Sequence, residues 1–571
     1  MLQLSKSSIT QKFFELRDAL VAYPDAVVAR VSMQNKKFFT VLGVLAAVLT
    51  LLLRLHATTL VRDKKETGKV ILKEGVKERV YVIHPILINV TQTDRDIKFL
   101  LYRRLLTLSS TGQVLPDLLA AWKTSAGGKK YTFYLRKDAR WSDNTPITAR
   151  DVLFTFNVIK RYYAETSSAQ LLKTAKITSP SDYIVRLEFE APVANLWDYL
   201  DFPIMAQHYY ESYNPDQLLY EGFLIPSLSS GNYILKEYTP RRVLLVKRHN
   251  PAPFKEIEFI STKINNWQSL IARDITSLSD ITLEEEQKLA GVPYITVHHF
   301  IKYYDFVGFF INSHNLNPLL RDQEFRYALY KLIDRNQLAK LLGTQPAYSI
   351  YHQNSQFYNE PVVQQYLNKN IDVKGILKRI PKRKHEYCKK AFNTEYCHLI
   401  VLTVPKNPEF RLIAETLRER LQKLGIGVHI KEVNRTQLHG EIIPMRDYEM
   451  LLLTLSTNVD PDQYVFWHSS QTEYPGKNIV GLQSRRADRY LIRGRILTNP
   501  QERAKEYQKL QEVLFEYMYF VPLIHPVYRY AYLNDVIKIE GEAKFVVEPQ
   551  QRFLYIKPLH QGWQRGPIGR K

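Results

Sequence analysis

A chain of 571 residues is too long for one hydrophobic core, since cores stop growing near roughly 250–300 residues, so at least two domains are expected. Hydrophobic residues at 45% and charged residues at 24% are ordinary globular values, which excludes wholesale disorder and fibrous repeats. The 79 Lys and Arg against 57 Asp and Glu leave a formal charge of +22, suited to an anionic neighbour but unable to choose among phospholipid, wall polymer, nucleic acid and acidic ligand.

In chain order, the first element is Phe38 to Leu53, FFTVLGVLAAVLTLLL, which carries no charge. At about 1.5 Å per residue it falls slightly short of the hydrocarbon core, and Leu55, Leu60 and Val61 extend it while Arg54 snorkels to the interface. The long stretch before it and the lack of an A-x-A site in RLHATTLV argue against a cleaved signal. No cysteine lies nearby to carry a lipid. The reading is an uncleaved transmembrane signal anchor over 38–61, after an N-terminal segment (1–37) and before a charged tether (62–74). Lys36 and Lys37 on one side and Arg54, Arg62, Lys64 and Lys65 on the other leave the orientation undecided by charge.

Beyond Val70, short β-rich runs alternate with helical patterns and no repeat appears. Tyr131 to Arg136 alternates as a strand, Asp143-Asn144 is a turn pair in which Asn tolerates the left-handed region, and Thr148-x-x-Asp151 caps a helix carrying Val152, Phe156 and Ile159. A further helix follows Asp322, with Phe325, Leu329, Leu332 and Ile333 on one stripe and Gly343 past its end. Residues 398–433 read strand–helix–strand, which predicts a parallel pair with a right-handed crossover. Two α/β lobes are expected.

These segments, in this order, resemble the family 5 extracellular solute-binding proteins, the oligopeptide- and dipeptide-binding components of ABC importers. Leu101-Tyr-Arg-Arg-Leu105, Gly112 to Pro116 and Ala121-Trp122 are similar to the family's opening. Tyr131 to Val152 resembles its YTFxLRxxxxWsDGtPxtAxDV signature, with Asn144 in place of Gly and Arg150 in place of an acid. Ser230 to Tyr233, Phe310 to Asn312, Arg321 to Arg335, Asn458 to Asp462, Asn478 and Tyr517 to Leu523 follow suit. The resemblance implies an α/β, two-lobe, periplasmic-binding-protein-like (type II) cleft with a discontinuous first lobe, preceded here by one transmembrane helix. Lobe I would span 75–310 and return at 528–560, lobe II would span 311–527, and a basic tail would follow at 561–571. The hinge would lie near Phe310 and near Val527. It further implies a membrane-anchored receptor, N-terminus inside and binding domain outside, that captures a peptide or other small solute and delivers it to ABC permease subunits. It would be a monomer, with no enzymatic step, cofactor, metal or specific nucleic acid. A receptor for an anionic ligand or polymer on the same fold is the alternative suggested by the charge.

In peptide binders of this family an aspartate four residues before the Pro of a late motif pairs with the ligand's ammonium. Here Thr457 occupies that place and Thr454 stands near the usual aromatic. Threonine supplies no charge, so a charge-assisted bond of roughly 1.5–3 kcal/mol would be missing, unless Asp460 or Asp462 replaces it rather than serving the turn around Pro461. Asn458, Trp467 and Asn478 complete the candidate ligand-binding set, with Trp467 open between cleft and core. His298 and His299 sit on opposite strand faces and make no metal site. Cys388 and Cys397 exclude a disulfide scaffold, and whether they bond to each other is left open.

Overall fold

The computed structural model describes residues 71–559, except 82, 88–90, 110–112, 164–165, 195, 213–227, 250–251, 262–265, 458 and 542–544. The expected anchor (38–61), the segment before it, most of the tether and the basic tail lie outside the described residues. Among the described residues no helix is long and apolar enough to cross a membrane.

The end of the expected tether is already strand. Ile71–Val76 pairs in parallel with Glu256–Ser261 on one side and Ser277–Ser279 on the other, with Leu72 and Val76 buried in the core. It lies inside an eight-stranded sheet ordered Phe545–Val546, Ile295–Lys302, Val527–Leu533, Ser277–Ser279, Ile71–Val76, Glu256–Ser261, Arg242–Lys247, Tyr233–Thr239. A four-stranded antiparallel sheet, Leu119–Ser125, Lys130–Leu135, Ile184–Glu188 and Lys176–Ser181, packs its own core with the helix Ala149–Tyr162. As expected, the Thr148 and Asp151 side chains cap that helix reciprocally, and Asn144 adopts a φ of 71°.

The second large sheet has six strands. Arg383–Lys384, Tyr396–Pro405, Met450–Ser456, Asp305–Ile311 and Phe520–Ile524 run in that order, with Ile426–Val433 beside Tyr396–Pro405. The predicted strand–helix–strand is present, with His398 facing Ile426 in a parallel register and Gly425 at φ 77° ending the crossover. The helix expected after Asp322 is two helices, Gln323–Leu332 and Arg335–Leu342. Asp334 caps the second by accepting from the Gln337 N–H, so the chain breaks at Ile333.

Among the described residues the chain passes between the two large sheets twice, at Tyr303–Tyr304 and at His525–Pro526. The expected crossing near Phe310 instead falls inside Asp305–Ile311, a fully buried strand of the second sheet. The two passages bond to each other: the Lys302 N–H donates to the Pro526 carbonyl at 3.0 Å, and His525 Nδ1 lies 3.0 Å from the Asp305 carbonyl. Next to the passages, Gly308 lets the strand Asp305–Ile311 pack closely on Phe520–Ile524, because a Cβ there would sit 2.5 Å from the Phe520 ring.

Two further ties hold the lobes internally. Arg552 joins Glu74 (2.7 Å) and Asp96 (2.6 Å) with all three side chains essentially unexposed, which pins the C-terminal segment onto the first strand. Cys388 and Cys397 are disulfide-bonded, linking the helix Glu386–Phe392 to the strand Tyr396–Pro405.

Candidate functional site

Where the strand Met450–Ser456 runs out beside the first passage, the chain turns through Thr457 to Trp467. Thr457 donates its hydroxyl and its N–H to the Tyr304 carbonyl, at 2.6 and 2.9 Å, so its side chain fastens the turn to the first passage. Asn458 lies outside the described residues. The Asp460 carboxylate accepts from the Asp462 N–H and forms a two-pronged pair with Arg503, both bonds at 2.8 Å. Asp462 accepts from the Tyr464 N–H and from Arg495 Nε at 2.7 Å. Both aspartates therefore do turn work and each already has its arginine. Burial pushes the Asp462 carboxyl up in spite of Arg495.

Trp467 is 2% exposed, packs 5.8 Å from Phe520 and donates its indole N–H to Gln463. It borders an apolar cavity of about 380 Å³ inside the second lobe, with Phe310, Leu455 and Ile479. Asn478 is wholly buried, and its amide bonds Leu482 and His468 backbone groups, so it organises a loop.

A second cavity, about 430 Å³, lies between the lobes at the first passage. Trp197, Asp198 and Val114 line it from the first lobe, Tyr304 from the passage, and His352, Phe357, Asp460 and Arg503 from the second. The lobes also touch where the Ala194 N–H donates to the Arg495 carbonyl at 3.4 Å. Burial alone holds His352 down to about 4, so the cavity's imidazole is neutral near pH 7. Burial pushes Tyr304 up to about 12, assisted by nearby Asp198. Of the two carboxylates lining the cavity, Asp460 is paired, whereas Asp198 has no basic partner among the described residues. Sequence reasoning placed Asp460 at this site but missed Asp198, Tyr304 and His352. Nothing local marks them, since they meet only when elements from about 50 to about 260 residues apart close on one another.

Two α/β lobes joined by paired strand passages, with a cavity between them, are the architecture of the two-lobe binding-protein class. The chain belongs to the bacterial extracellular solute-binding proteins, family 5, whose model matches residues 113–476. It is similar to the oligopeptide-binding protein AppA of Bacillus subtilis, with 22% identity over 463 residues, 76% of this chain and 82% of AppA. The structure of AppA in complex with a nonapeptide superposes with a TM-score of 0.62 at 19% identity, covering 86% of this chain and 99% of AppA. The ABC transporter substrate-binding protein CtaP of Listeria monocytogenes gives a TM-score of 0.71 at 18% identity, covering 86% of this chain and all of CtaP. NikZ of Campylobacter jejuni, in complex with Ni(L-His), gives 0.64 at 18% identity, covering 82% of this chain and 95% of NikZ.

Proposed function

We propose that this protein is a membrane-anchored extracytoplasmic receptor that captures peptides in the interlobe cleft and delivers them to an ABC permease. The cavity between the lobes carries the reading: it is built by both lobes and by the strand passage that would let them part. Family membership and the likeness to peptide-bound AppA support peptides as the solute. Capture would be a population shift toward the closed form, which the ligand binds better, and no covalent step is needed. The apolar run at 38–53 would hold the receptor at the membrane with its lobes outside. An anionic ligand finds no support in the cavity, because Arg503 at its wall is already neutralised by Asp460.

Native mass spectrometry of the full chain, extracted in detergent and never unfolded, tests the reading. Peptide masses released on denaturation are expected. A non-peptide solute carried in their place would retire the peptide assignment and leave the fold and family intact.

A further inference from the structure

The lost amine anchor at Thr457 leaves open how a peptide's ammonium is received, and the two aspartates nearest in sequence are held by Arg503 and Arg495. The first lobe offers another group. Asp198, in the short helix Leu196–Tyr199, is half-buried at the cavity wall and meets the Asp460 backbone N–H across the cleft. Its acidic neighbour Asp201 is tied to Arg104 at 2.5 Å, and among the described residues no Lys or Arg pairs with Asp198. Burial first, and then the Asp460 and Asp201 carboxylates, push the Asp198 carboxyl well above its usual range. The site thus disfavours a bare charge on Asp198 unless a positive group arrives from elsewhere.

We propose that Asp198 is the anchor for a ligand ammonium, supplied by the first lobe in place of the second-lobe position now held by Thr457. The inference rests on the peptide reading above and names the group that the cleft recognises. An α-amino group and a lysine side chain share this chemistry, and both reach the carboxylate as a charge-assisted donor. An ammonium seated there would bond the Asp198 carboxylate beside its contact with the Asp460 N–H. Ligand and closure would then favour each other, because Asp198 and Asp460 belong to opposite lobes.

The test uses a chymotryptic digest of casein offered to the full chain in three forms: untreated, acetylated at α-amino groups only, and acetylated at lysines as well. Retained peptides are weighed by native mass spectrometry. The wild type is expected to prefer peptides with a free ammonium by about tenfold or more, the scale of one charge-assisted hydrogen bond. Loss of that preference on α-acetylation alone identifies the terminal amine; loss only in the third form identifies lysine. Asp198→Asn keeps the shape and the acceptor for the Asp460 N–H, and should retain all three forms about equally. Equal retention by the wild type overturns the assignment, as does a preference that survives Asp198→Asn. A preference lost in Asp460→Asn but kept in Asp198→Asn would move the anchor to the second lobe and also refute it. If no peptide in any form is retained, the peptide reading itself fails and Asp198 falls with it.

Discussion

Replacing Arg552 with Met removes the only guanidinium in the buried cluster at the base of the first lobe. Its Nη1 and Nη2 bond both Asp96 oxygens, at 2.9 and 2.6 Å, and Nη2 reaches Glu74 at 2.7 Å. Neither acid is more than 1% exposed, so water cannot take over the lost charge. Glu74 would retain the Ser277 and Tyr530 hydroxyls, and Asp96 the Gln92 amide, which are neutral donors. Breaking a buried pair by removing one partner destabilises by about 3–5 kcal/mol, and that is the expected loss for Arg552→Met in urea-unfolding midpoints followed by tryptophan fluorescence. The triple change Glu74→Gln, Asp96→Asn, Arg552→Met removes every charge from the cluster. It should recover most of the loss, because the penalty belongs to the stranded carboxylates rather than to the missing contacts. A loss below about 1 kcal/mol for the single variant, or a triple variant no better than the single, would refute this account of the cluster.

His84 is 1% exposed, neither ring nitrogen has a hydrogen-bond partner among the described residues, and burial, then Lys98, holds it down to about 3. Its folded pKa lies below the unfolded value near 6.5, so the unfolded chain takes a proton that the folded chain refuses, and stability falls with pH below that value. Between pH 7 and 5 the share of His84 is roughly 2 kcal/mol, and His84→Phe should flatten the acid limb of an equilibrium unfolding curve by that amount; an unchanged slope would exclude His84 as its source. Cys388→Ser opens the nine-residue loop closed by the disulfide and should lower stability by about 2–3 kcal/mol without altering retention of peptides, as judged by urea titration beside native mass spectrometry. Protease added to intact cells should digest residues 75–560 and spare a small N-terminal fragment; protection of the large part would contradict the proposed topology.

Elements set by local chemistry were legible in the sequence. The Thr148–Asp151 cap, the left-handed Asn144 and the parallel pair around Gly425 each depend on residues within a few positions of one another. The break at Ile333 was also written locally, in the Asp334 cap, but a continuous apolar stripe concealed it. The passage at Tyr303–Tyr304 was displaced because Phe306 to Ile311 is apolar without alternation, a pattern that names a buried strand but not the sheet that owns it. At the site, Asp460 and Asp462 were visible as candidates, while their neutralising partners Arg503 and Arg495 lie 43 and 33 residues away on other elements. Asp198 had no signal at all, since its meaning comes from a carboxylate on the opposite lobe.

The strand Val527–Leu533 sits between Ser277–Ser279 and Ile295–Lys302, antiparallel to both, although it is made more than two hundred residues after them. The six-stranded sheet, by contrast, has its last strand in hand at Ile524. As the chain emerges from a ribosome or a translocation pore, the second lobe can therefore close its core while the first still holds an empty slot inside its sheet. The two edges facing that slot are bare ladders of N–H and C=O groups, open to wrong partners until residue 533 arrives. Contacts this distant in sequence form slowly, so the first lobe, which supplies Asp198, should be the last part of the receptor to mature.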